Sequence, residues 1–156
     1  MSLSLRPAGP GVKLNSTFIF WTSSGRTGNV VTLRFIRSSH CLSKRFNSEE
    51  VRLVARMFAD ADIFRRGFLL LGGPGETRES VEESLAFADS LNLDALKVTV
   101  GVRIYPETPL AATALAEGMI RPDDDLLWPR FYLAPRLRDW LPERISAYKT
   151  SHSWAM

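Results

Sequence analysis

The chain has one cysteine, Cys41, in 156 residues. A single thiol excludes an internal disulfide and any cysteine-rich metal site built from this chain alone. Histidine is scarce as well: His40 adjoins Cys41, and His152 lies far along the sequence. A neighbouring His–Cys pair cannot supply four ligands, so no metal site is expected there. No apolar run approaches the roughly 20 residues that cross a membrane, and Phe18 to Trp21 is too short for the core of a secretion signal. Without such a signal the sequon Asn15-Ser16-Thr17 reads as a chance match, and the cytoplasm is the default location. Acidic charge is missing before Glu49: only Arg6, Lys13, Arg26, Arg34, Arg37, Lys44 and Arg45 are charged in that stretch. The net charge is nevertheless only +3, with a pI near 9.3. The basic residues are scattered, so no nucleic-acid partner is expected. Neither Gly-x-x-x-x-Gly-Lys-Ser/Thr nor Gly-x-Gly-x-x-Gly occurs, which removes support for kinase-like, NTPase and dinucleotide-binding readings.

What is present is an ordinary globular composition, 45% hydrophobic and 24% charged. It suits one domain at most, or a piece of a larger one. The organising stretch is Gly67-Phe68-Leu69-Leu70-Leu71-Gly72-Gly73-Pro74-Gly75-Glu76-Thr77. Four apolar residues in a row suit a strand buried on both faces, as in a parallel sheet. The glycines allow backbone angles closed to other residues and let another molecule approach the main chain. Pro74 stops the strand. Thr77 is a fit N-cap for the amphipathic run behind it. Strand, loop and helix start make half of a βαβ unit, and ligands of α/β folds sit at the carboxyl ends of such strands. The same spacing also suits a tight connection with no ligand.

On either side the pattern is periodic. Asn47 or Ser48 caps a helix with Glu49 and Glu50 in its first turn and Val51, Val54, Ala55, Phe58 and Ala61 on one face. After Thr77 come Val81, Leu85, Ala88 and Leu91 at helical spacing, with Asn92 as the stop. Ala95 to Tyr105 alternates apolar and polar, which predicts a strand closed by Pro106-Glu107-Thr108-Pro109. Helix, strand, helix, strand predicts parallel strands with crossover helices. Leu110 to Glu117 reads as a short alanine-rich helix ended by Gly118, and Arg136 to Tyr148 as a last helix that contains Pro142. Asp123-Asp124-Asp125 suggests a divalent cation by its charge, but adjacent positions point apart, so it reads as a helix cap or a solvated run. Before residue 47 only Thr17 to Thr22 and Val30 to Ile36 suggest strands, with turn signals at Ser23-Ser24-Gly25 and Thr27-Gly28-Asn29. A hairpin and a stretch without selected structure fit equally.

Residues from about 42 onward resemble the C-terminal part of radical S-adenosylmethionine enzymes, in the branch that carries a cobalamin-binding domain. The resemblance rests on Leu42 to Val51, Gly67 to Thr77 with Glu79 to Ser84, Val100 to Leu110, and Pro122 to Tyr132. It implies an α/β fold that is a fragment of a partial (β/α) barrel with parallel strands, plus a helical C-terminal extension. The division it implies is a poorly defined segment 1–41, βα units over 42–118, and the extension over 119–156. S-adenosylmethionine is the implied cofactor, with Leu70 and Gly72 beside its adenine, Gly73 also in the cofactor site, and Glu76 fixing the loop through backbone hydrogen bonds. Arg103 and Tyr105 would face the barrel mouth, toward an unknown small-molecule substrate or the cofactor carboxylate. The family's chemistry needs three cysteines, Cys-x-x-x-Cys-x-x-Cys, around a four-iron four-sulfur cluster. One cysteine cannot build that site, so neither cluster nor cobalamin is expected to bind this chain alone, and no catalytic residue is assigned. Glu107 stands where the family usually has glycine. The expectation is a fragment of a longer enzyme, inactive alone, with the missing N-terminal part as its partner. A non-catalytic α/β interaction or regulatory module is the alternative.

Overall fold

The computed structural model describes residues 48–156 in full and, before them, the backbone of two strands. The elements in order are β1 (Thr17–Ser23), β2 (Val30–Ile36), α1 (Ser48–Asp60), β3 (Phe64–Leu71), α2 (Arg78–Ser90), β4 (Ala95–Val100), β5 (Val102–Ile104), α3 (Pro109–Ala116), β6 (Arg130–Tyr132) and α4 (Leu141–Ser151). The readings of His40–Cys41, the Asn15-Ser16 part of the sequon, the turn residues 24–29, Asn47 as a cap and residues 42–47 lie outside the described residues.

The protein is mixed α/β. Its main sheet has the order β2-β1-β3-β4. β3 and β4 run parallel, with Leu69 opposite Val98 and Leu71 opposite Val100. Helix α2 is the crossover between them, as the alternating pattern predicts. β1 pairs antiparallel with β2 on one side and with β3 on the other, with Thr17 opposite Leu70 and Trp21 opposite Arg66. A second, two-stranded sheet pairs β5 with β6.

Alternation along β3 and β4 sends Leu69, Leu71, Leu96 and Val98 into the core with Val81, Leu85 and Ala88 of α2. Leu71, Val81, Ala88 and Leu96 are completely buried, and each large side chain so placed contributes roughly 2 kcal/mol over its exposed state. Arg65 ties the strand starts together: its N–H and Nε donate to Asp94 at 2.7 and 3.0 Å. α4 is held against α2 by Arg144, which donates to both oxygens of Glu82 at 2.5 and 2.7 Å, and by the Tyr148 hydroxyl on Asp89. The edge of β4 is also paired. Leu96 N–H donates to Trp154 O at 2.9 Å, and Met156 N–H to Leu96 O at 2.7 Å.

Two expectations need correction. The strand predicted from Ala95 to Tyr105 breaks at Gly101, where φ is +87°. That angle turns the chain, so β5 leaves the main sheet and pairs with β6. The last helix begins at Leu141, not Arg136, and only a 3-10 turn (Pro135–Leu137) precedes it. Pro142 therefore lies in the first turn, where a missing N–H removes no helical bond. Gly118 ends α3 as expected, with φ at +69°.

Candidate functional site

The site predicted from sequence is the turn between β3 and α2. Thr77 caps α2: its Oγ1 accepts from Ser80 N–H at 3.3 Å, and Ser80 Oγ accepts from Thr77 N–H at 3.0 Å. This reciprocal pair satisfies two amides that the helix leaves orphaned. Serine in place of the usual glutamate hid the pair from sequence reading.

Capping fixes the direction of Glu76, one residue earlier. Its side chain folds back under the turn and is only 4% exposed. One carboxyl oxygen accepts from the N–H groups of both Gly72 and Gly73, the second at 3.2 Å. Two forces act on its proton. Burial disfavours the charged form, while the two amides favour it. Burial is the larger, and the pKa is pushed up from 4.5 to about 7. The turn is thus stitched by a carboxyl group that gains or loses its proton near neutrality.

The glycines do different work. A Cβ at Gly72, where φ is +95°, would come within 2.5 Å of Leu133 Cδ1. The space at this residue is therefore taken by the protein's own chain, and Ala134 N–H donates to Gly72 O at 2.9 Å. Gly73 is open by comparison: a Cβ there meets only Val102 Cγ2, at 3.8 Å. Gly75 has φ at +77° and nothing within 4 Å. Leu70 is half-buried near the end of β3, paired in register with Thr17 and Thr99.

Leu70, Gly72, Gly73 and Glu76 thus form one continuous turn at the carboxyl end of a parallel strand. Arg103 and Tyr105 are separate from it. Alternation along β5 turns Val102 toward Gly73 and leaves Arg103 on the opposite, exposed side. The Arg103 guanidinium lies over the Tyr105 ring at 4.9 Å, and Phe131 is its cross-strand partner. Tyr105 is 54% exposed. The contributions of Leu133 and Val102 carried no local sequence signal, because they come from elements distant in the chain.

No group of three or more His, Cys, Asp or Glu side chains among the described residues could hold a metal ion. Asp123, Asp124 and Asp125 do not converge: Asp125 accepts from Leu127 N–H at 3.0 Å, and Asp124 faces Arg130 at 3.9 Å. No helix among the described residues is long and apolar enough to cross a membrane. The chain matches no protein-family model, no curated protein and no solved structure.

Proposed function

We propose that the chain is the C-terminal part of a radical S-adenosylmethionine enzyme, carrying one wall of the cofactor site and inactive without its missing N-terminal part. On this reading the βα units around β3 and β4 are an arc of a partial (β/α) barrel. The observation that carries it is the Glu76 carboxyl group bonded to two glycine amides at the carboxyl end of a parallel strand. Such a turn presents rigid main chain to a ligand, in the place where α/β folds bind one. The adenine would lie over Gly73 and Leu70, since Leu133 occupies the room beside Gly72. Arg103 and Tyr105 would meet the substrate or the cofactor carboxylate only where a second chain closes over β5. The residues present do not fit an iron–sulfur cluster: the lone cysteine supplies one of three thiolates, so no chemical step is assigned to this chain.

Titration calorimetry of the iron-free full chain with S-adenosylmethionine tests this reading, with Gly73→Val as the control. Saturable heat with the wild type and none with the variant supports it. No heat with either at millimolar cofactor refutes it.

One observation favours a second reading, a non-catalytic α/β interaction module. Leu127, Trp128 and Phe131 are 77%, 83% and 57% exposed, and exposed apolar groups of this size mark contact surfaces. A stable, monodisperse monomer that binds no cofactor, and that loses capture of a partner on Trp128→Ser, would favour it.

A further inference from the structure

β4 is the outermost strand of the main sheet, because the turn at Gly101 carries β5 away from it. The outer edge of such a strand is a row of N–H and C=O groups, a template for another strand. Here three residues of the same chain lie along it. Leu96 N–H donates to Trp154 O at 2.9 Å, Met156 N–H to Leu96 O at 2.7 Å, and Val98 N–H to Met156 O at 3.0 Å. The bridge is parallel, with Ala155 opposite Leu96. Residues 152–156 thus form a strap over the first part of the edge. Further on, Gly101 N–H turns inward to Leu71 O at 2.8 Å. By the alternation of the ladder, Val98 O and Val100 N–H then face outward, and none of the strap's bonds reaches them.

The strap is fastened mainly where it leaves α4. The His152 ring stacks on Tyr148 at 4.2 Å, and Trp154 meets the His152 ring edge-on at 5.6 Å. Ala155 N–H closes a turn on His152 O at 2.9 Å. Met156 is 54% exposed, and its main chain makes two of the strap's bonds to β4. A segment with so few buried contacts opens without unfolding the core.

We propose that the outer edge of β4 is the docking surface for a second copy of this chain, whose own β4 pairs with it antiparallel when both straps lift. The edge is self-complementary about Val98. Leu96, Val98 and Val100 turn their main-chain groups outward. Val98 therefore meets Val98 of the partner subunit, and Leu96 meets Val100 of the partner subunit. The resulting pairs exchange as many main-chain bonds as the two straps make together. The charges also agree. Lys97 and Thr99 alternate with the buried Leu96 and Val98 and so lie on the other face. The same register sets Lys97 opposite Thr99 of the partner subunit, so no like charges face each other. With the bond count equal, concentration decides: the strap wins in dilute solution because it is tethered, and the dimer wins as the chain is concentrated. This inference does not depend on the cofactor reading above.

Sedimentation equilibrium of the full chain, from micromolar to millimolar, tests it. The wild type should pass from monomer to dimer over this range. Met156→Pro deletes one strap bond at an exposed residue. One such bond is worth about fivefold, and both straps lift on dimerisation, so the dimer should tighten about 25-fold. Thr99→Glu sets a carboxylate opposite each Lys97 and should tighten the dimer about fivefold, whereas Thr99→Lys should weaken it by about as much. An unchanged melting temperature at the lowest concentration separates altered pairing from altered folding. A chain that stays monomeric throughout even with Met156→Pro, a dimer that Met156→Pro does not tighten, or Thr99 variants that shift it in the same direction would overturn the proposal.

Discussion

Replacing Glu76 by glutamine should change how stability depends on pH, in a direction set by burial. In the unfolded chain the carboxyl group ionises near 4.5, and in the folded chain near 7. Below pH 4.5 both states hold the proton, and the group imposes no penalty on folding. Between these values the unfolded chain ionises while the folded chain resists, so stability falls as pH rises. Above 7 both are ionised and the loss is constant. The two values lie about 2.5 apart, and at about 1.4 kcal/mol per pH unit this gives roughly 3 kcal/mol. Glutamine cannot ionise, and its carbonyl oxygen can accept from Gly72 and Gly73 as the carboxyl oxygen does. Urea denaturation of both proteins from pH 4 to 8 cancels the other titrating groups in the difference. Relative to the wild type, Glu76→Gln should gain about 3 kcal/mol between pH 4.5 and 7, then level off. A flat difference, or a wild type that gains on the variant as pH rises, would refute the reasoning. The first would mean that the two amide bonds cancel desolvation, the second that they outweigh it.

Other perturbations separate space from backbone angle. Gly72→Ala meets both a forbidden angle and Leu133, and should cost roughly 3 kcal/mol or more in urea denaturation. Gly75→Ala meets only the angle and should cost about 1–2 kcal/mol in the same assay. Thr77→Ala removes the cap of α2 and should cost about 1 kcal/mol, with faster amide exchange at Ser80. Glu107→Gly should stabilise the protein by about 1 kcal/mol by relieving the angle at the β5–α3 turn, measured by denaturant midpoint.

Much of the candidate site was legible because its chemistry is local. Thr77 caps from one residue before α2, and Glu76 reaches back only three and four residues to its amide donors. The βαβ alternation was legible too, since Leu69, Leu71, Val81, Leu85, Leu96 and Val98 follow the periods of their elements. Arg103 depends on more than alternation. Its alternation along the strand was correct, but the break at Gly101 carries that strand out of the main sheet and leaves the side chain facing solvent.

From its own residues the sequence determined the strand–turn–helix around Gly72, the Thr77 cap and the helix faces. Each depends on backbone angles, short-range hydrogen bonds or residue identity. Tertiary structure alone decided that Leu133 fills the space beside Gly72, that β1 runs antiparallel to β3, and that Trp154 to Met156 pair with the edge of β4. These contacts join residues far apart in the chain. Their partners are set by which apolar surfaces and unpaired main-chain groups remain once the local elements have formed, and no local pattern records that.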